Sequence, residues 1–231
     1  MSDDQRVATR RRSRRLRRTV LVVLVGCLIG WASWLVGFSP VLGVRQIEVD
    51  GVELVSVNEV IQAAGLTTGQ PMIRVSPASV ADRITATLPE VLTVTVERQW
   101  PGTVLLHVAE RTAVFQIAVG DGFGLVSADG TVFRIGARMP SLLVGRVVIG
   151  DPVLLADVAT VVVSLPAELV PHIVHVSATT RDSITIQLDE SRLVVWGSAA
   201  ECALKGEVLA ALLSVPGSVY DVSAPTAPAV R

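Results

Sequence analysis

LPEVLTVTVERQWPGTVLLHVAER, residues 88–111, decides the fold. Leu92, Val94 and Val96 alternate with Thr93, Thr95 and Glu97, which is the period of a strand with one apolar face. Val104, Leu106 and Val108 repeat that pattern on the return. Between the runs, Pro101-Gly102 reads as a turn: a fixed negative φ, then a residue free to take a positive one. A hairpin with one apolar face needs helices laid on it. The residues upstream supply them. Ser56 to Glu59 spells a capping box, Val55 can staple onto Val60, and Val57, Val60, Ile61 and Ala64 share one helical face before Gly65 offers a left-handed stop. A second helix starts at Ser76 with Pro77 in its first turn, carries Val80, Ile84 and Leu88 inward, and ends at Pro89. Val44, Ile47 and Val49 are strand positions ahead of a turn at Asp50-Gly51. The order is strand, helix, helix, strand, strand.

Working outward toward the N-terminus, Val20 to Phe38 (VLVVLVGCLIGWASWLVGF) holds no charge. As a helix it spans roughly 28 Å, close to the hydrocarbon thickness of a bilayer. Trp31 and Trp34 lie toward its downstream end, where aromatic rings suit lipid headgroups. Eight arginines against two aspartates precede it, and the rest of the chain is net acidic. Basic flanks stay inside, so the expectation is a cytoplasmic tail at 1–19, one transmembrane helix at 20–38 and an extracytoplasmic remainder. The run exceeds a secretory h-region and no small-x-small cleavage site follows it, which favours an uncleaved anchor. The arginines lack aromatic interleaving and abut the apolar run, so topology and anionic lipid explain them better than nucleic acid.

Downstream of the hairpin, Leu125 to Val132 reads as a second hairpin turning on Asp129-Gly130. Asp151 caps a helix with Pro152 in its first turn and Leu154, Leu155, Val158, Val162 and Leu165 along one face; the β-branched run Val161-Val162-Val163 works against it. Ile173 to Val176, Ile184 to Leu188 and Leu193 to Trp196 read as strands. A second capping box, Ser198 to Glu201, opens a helix expected to turn Leu204, Val208, Ala211 and Leu212 inward. Val219 to Val222 closes as a short strand, followed by a Pro/Ala tail. Cys27 and Cys202 lie too far apart in this layout to pair, so packing alone holds the outer portion together.

These residues resemble a known family. The strand-helix-helix-strand-strand order directly outside an anchor resembles a POTRA domain. VRQIEVDGVELVSVNEVIQAAGL at 44–66 and the 88–111 stretch are similar to the FtsQ (DivIB) cell-division family of actinobacterial type. Arg98-Gln99-Trp100-Pro101 followed by Glu110-Arg111 is the specific part; Thr112-Ala113 stands where many members carry a proline. The second half is similar to the family's β domain through Trp196-Gly197, Lys205 and YDVS at 220–223. The resemblance implies an α+β ectodomain, with a POTRA domain at 42–110, a strand-rich β domain with flanking helices at 111–223, and a tail at 224–231. It implies a single-pass protein of the cell membrane at the division septum. Its role there is a non-enzymatic scaffold binding FtsB/DivIC-like and FtsL-like proteins, with FtsW/FtsI-type septal synthesis proteins as further partners. In the family the β domain accepts FtsB by adding a strand to an edge near its C-terminus. That maps the partner-binding residues onto Val219, Tyr220, Asp221, Val222 and Ser223, with Pro225 and Pro228 lacking donors beyond them.

Two other classes compete. A POTRA-containing secretion or assembly component requires several POTRA repeats and a barrel of alternating strands, which these residues do not spell. An anchored cell-wall enzyme requires a nucleophile and base. The single lysine, Lys205, has Cys202 rather than serine three residues before it, which removes the Ser-x-x-Lys signature. His172 and His175, three apart where a strand is expected, face opposite sides, and His107 points outward. GDGFG at 120–124 has no lysine after it and reads as a turn. The sequence thus implies no catalytic residue, no metal and no cofactor.

Overall fold

The computed structural model describes residues 20–28, 30–31 and 42–231. Residues 20–28 and 30–31 are helical, and Val20 to Val25, Leu28 and Trp31 are exposed. Among the described residues no helix is long and apolar enough to cross a membrane. The basic tail and the rest of the expected span lie outside the described residues. The chain divides into two compact units: the described residues up to Leu88 together with Thr93–Ala109, and Pro89–Leu92 together with Glu110–Arg231.

The first unit follows the expected order. Strand β1 (Gln46–Asp50) leads to helix α1 (Val57–Ala64), a 3-10 turn (Met72–Arg74), helix α2 (Pro77–Thr87) and strands β2 (Val91–Gln99) and β3 (Thr103–Glu110). The sheet order is β1-β3-β2, with β1 parallel to β3, and the two helices form the crossover that parallel neighbours require. Both helix starts are made as the sequence spells them. Ser56 and Glu59 form the reciprocal capping box, Gly65 ends α1 at φ 59°, and Ser76 accepts from Ser79 N–H ahead of Pro77. Val60, Ala64, Val80 and Ile84 are buried with Val104, Leu106 and Val108.

Three positions differ from the pattern. Val57 and Leu92 are exposed: the fully buried residues of α1 are Val60 and Ala64, and at the start of β2 it is Val91 that is buried. The Trp100–Pro101 bond is cis, and Gly102 does not take a positive φ. Gly102 is needed for close approach instead: a Cβ there would lie 2.8 Å from the Gly43 carbonyl oxygen.

In the second unit β4 (Ala113–Val119), β5 (Gly122–Ser127), β6 (Val132–Gly136), β7 (Leu143–Val147), β8 (Ile173–Ala178), β9 (Ile184–Leu188), β10 (Leu193–Gly197), β11 (Val219–Asp221) and β12 (Ala229–Val230) form one sheet. Its order is β12-β11-β10-β9-β8-β7-β4-β5-β6. Helix α3 (Pro152–Ser164) links the parallel pair β7 and β8, and α4 (Cys202–Leu212) links the parallel pair β10 and β11. Asp151 caps α3 through its carboxylate, accepting from Val153 and Leu154 N–H. The β-branched run does not break the helix: Val158, Ala159 and Val161 are buried, and that burial outweighs a propensity deficit of a few tenths of a kcal/mol per residue. β4 has no clean alternation because Phe115, Gln116 and Ile117 are all buried. Gln116 belongs there because its amide is satisfied. Nε2 donates to the Met139 and Leu142 carbonyls and Oε1 accepts from Met139 N–H, which holds the chain crossing from β6 to β7.

Candidate partner-binding edge

Strand β11 forms because Tyr220 and Val222 alternate inward while Val219 and Asp221 do not. Tyr220 and Val222 are fully buried, and the Tyr220 hydroxyl donates to the Val215 carbonyl at 2.9 Å, so the ring is packed and its polar tip satisfied. On one side β11 runs parallel to β10, pairing Val194 with Tyr220, and Val222 N–H donates to the Val195 carbonyl at 3.0 Å. The turn after it is closed by Asp221, whose carboxylate accepts from both the Ser223 N–H (3.0 Å) and the Ser223 hydroxyl (2.7 Å).

The other side of β11 is not open. The Pro/Ala tail returns as β12, antiparallel, placing Val230 opposite Tyr220 and Ala229 opposite Asp221. Val219 and Arg231 exchange both backbone bonds at 2.9 Å, and the Arg231 carbonyl also accepts from Ser218 N–H and its hydroxyl. Val230 is seated over Gly217, where a Cβ would come within 2.3 Å of its Cγ1. Of the five sequence-predicted residues, Val219, Tyr220 and Asp221 form β11 and Val222 and Ser223 follow it directly, but this strand is second from the edge. The outermost strand is β12. Because Val219 and Arg231 form a hydrogen-bonded pair, the alternation of an antiparallel ladder turns the N–H and C=O of Val230 outward. Pro228, two residues back on the same edge, has no donor. The signal for β12 is slight: two residues, Ala229-Val230, after a proline.

Behind this edge stands a feature that the helical pattern misplaces. Lys205 is 1% exposed. Its ammonium donates to the Trp196 carbonyl at 3.1 Å and to the Ser198 carbonyl at 2.9 Å. This turns Lys205, Gly206 and Leu209 inward and leaves Leu204 and Ala211 exposed, a correction to the expected face. The second capping box is not made either. Glu201 sits before α4 with φ 54° and no side-chain cap, and Ser198 accepts only from Ala200 N–H at 3.4 Å. The carbonyls held by Lys205 flank Gly197, whose φ is 77° and where a Cβ would lie 2.9 Å from Ser223 Cβ. The lysine thus fixes the peptide against which the end of β11 packs.

The other polar clusters are structural. Arg111 donates to the Pro89 carbonyl and to Asp129, which also accepts from Ser127 and Thr131 and so closes the β5–β6 turn. Partial burial pushes the Asp129 carboxyl up, but hydrogen bonds from Ser127 and Arg111, the Arg111 charge and the Thr131 N–H outweigh it and bring the pKa down to about 2. His172, in a 3-10 turn, and Arg192 both bond Asp189 at 2.7 Å. Its carboxyl is lowered by the Arg192 hydrogen bond first and the His172 one second. His175 lies separately on β8, its pKa lowered by burial and by the Arg146 charge. His107 is exposed, 3.7 Å from Asp50. Gly120 turns β4 into β5 with φ 55°, while Gly122 and Gly124 belong to β5 itself. Among the described residues no three His, Cys, Asp or Glu side chains gather as metal ligands.

Comparison with known proteins agrees with this architecture. Residues 42–111 match the family model "POTRA domain, FtsQ-type", and residues 114–222 match "Cell division protein FtsQ/DivIB, C-terminal". The chain is similar to the cell division protein FtsQ of Mycobacterium leprae, 34% identical over 92% of this chain and 62% of that protein. It is 34% identical to that of Mycobacterium tuberculosis strain H37Rv, over 94% of this chain and 68% of the relative. It is 33% identical to that of Streptomyces bingchenggensis, over 93% and 86%. The chain thus spans somewhat under two thirds of the length of the Mycobacterium leprae protein. Two adjoining family models and near-full-length similarity to curated members place this chain in the FtsQ/DivIB family of cell-division proteins.

Proposed function

We propose that the chain is a non-enzymatic scaffold of the division machinery at the septum. A helix over Val20–Phe38 anchors it, and its POTRA unit (42–110) and β domain (111–223) face the extracytoplasmic side. It works by capturing an extended segment of an FtsB/DivIC-like protein, itself bound to an FtsL-like one, on the open edge of the nine-stranded sheet. The observation that carries this reading is the outward-facing N–H and C=O of Val230 on the terminal strand β12. Main-chain pairing there gives a sheet-edge partner its register. Val219, Tyr220 and Asp221 seat β12, Val222 and Ser223 continue their strand along β10 and Gly197, and Lys205 steadies the peptide beneath that end. We assign no catalytic role to the described residues.

Deleting residues 224–231 tests the site. The account expects the extracytoplasmic part, from Leu42 onward, to keep its near-ultraviolet circular dichroism and lose binding to the extracytoplasmic part of the host's FtsB-like protein. Tighter binding after the deletion would mean that the partner takes the place of β12 on β11. Unchanged binding would put the partner surface elsewhere.

A further inference from the structure

We infer that the pole of the first unit at which the chain enters is a contact surface for anionic lipid, with Trp100 as its interfacial anchor. The inference rests on the proposed anchor at Val20–Phe38 and adds an orientation for the unit that follows it. Three segments meet at this pole. Val44 N–H donates to the Gln70 carbonyl, Gly69 N–H to the Val44 carbonyl, and Arg45 N–H to the Gly102 carbonyl at 2.7 Å. Glycines permit the approach: a Cβ on Gly43 would lie 2.8 Å from the Gly69 carbonyl oxygen, and one on Gly102 2.8 Å from that of Gly43. The tip of the β2–β3 hairpin and the 3-10 turn at Met72–Arg74 are thereby fixed beside the incoming chain. Arg98 ties them together by donating to the Val75 carbonyl at 3.3 Å.

Two large side chains of this pole stand in solvent, Trp100 at 53% exposure and Ile73 at 54%. Around them Arg45, Arg74 and Arg98 are exposed. Residues 42–47, 66–75 and 98–106 contain these three arginines and no carboxylate, whereas residues 42–109 as a whole carry seven carboxylates. Glu97 precedes Arg98 on the strand and so faces its opposite side. A basic pole around an exposed tryptophan on an otherwise acidic unit matches a headgroup layer with negative charge. Distance fits as well. From Phe38, the last residue of the proposed span, to Leu42 the chain reaches at most about 14 Å, so the pole that holds Gly43 lies within reach of the interface.

The test uses the full chain with Trp31→Phe and Trp34→Phe, reconstituted into phosphatidylcholine–phosphatidylglycerol vesicles carrying a headgroup spin label. Subtracting the spectrum of the same chain with Trp100→Phe isolates Trp100 from the core residue Trp196. The inference expects Trp100 emission to be blue-shifted and largely quenched by the label, and quenching to weaken in vesicles of phosphatidylcholine alone. Alkaline carbonate treatment reads the anchor separately. If the chain stays with the vesicles while Trp100 is quenched by aqueous iodide and not by the label, the pole faces water or a protein partner and the inference is overturned. If carbonate strips the chain from the vesicles, the anchor and this inference fall together.

Discussion

Helices α1 and α4 are announced by the same four-residue signature, Ser-x-x-Glu, and only the first is capped by it. At α1, Ser56 and Glu59 exchange hydrogen bonds across the first turn, and the eight-residue helix ends at a left-handed glycine. At α4 the same letters sit beside a stronger demand. Lys205 carries its ammonium into the core to satisfy the carbonyls of Trp196, on β10, and Ser198, just past it, and Gly206 brings the helix against the last turn of α3, where a Cβ would lie 2.7 Å from the Ser164 carbonyl oxygen. Those contacts set the rotation and start of α4, and Glu201 takes a left-handed conformation to allow it. A local signature holds where nothing else constrains the helix, and yields where tertiary hydrogen bonds do.

Four substitutions sharpen or break this contrast. Lys205→Met keeps the aliphatic stem but strips the donors from the Trp196 and Ser198 carbonyls, and chemical denaturation should show a loss of about 3 kcal/mol. Gly206→Ala forces α4 away from α3 and should cost about 2 kcal/mol in the same assay. Ser56→Ala removes a working cap and should lower stability by about 1 kcal/mol. Ser198→Ala, at the matching position of the unformed box, should change it by less than about 0.5 kcal/mol. Equal losses at Ser56 and Ser198 would erase the distinction between the two helix starts.

The same contrast explains what the sequence disclosed. The first unit was legible because its elements are local: caps, a glycine stop, a proline at a helix start and alternating strands each act within a few residues. The expected turn at Pro101-Gly102 was right in place and wrong in cause, since Gly102 answers to the backbone of Gly43, far away in sequence. In the second unit β4 leaves no strand signal in the sequence, because burial on both faces removes the period of two and Gln116 interrupts an otherwise apolar run. The sequence puts Lys205 on a helix, but a lone lysine is ordinarily an exposed residue; only the curl of β10 past Gly197 makes its burial intelligible. Of the candidate site, the inward alternation of Tyr220 and Val222 was readable. The return of residues 229–230 onto β11 was not, because two residues carry no periodicity.

The most direct measurement is amide exchange at Val230, followed by nuclear magnetic resonance in the extracytoplasmic part alone and saturated with the extracytoplasmic part of the FtsB-like partner. The proposed edge predicts that this N–H, outward-facing and fast to exchange in the free protein, becomes strongly protected in the complex. The N–H of Arg231, already bonded to Val219, should change little. Saturated binding with Val230 still exchanging at its free rate would contradict partner addition at β12.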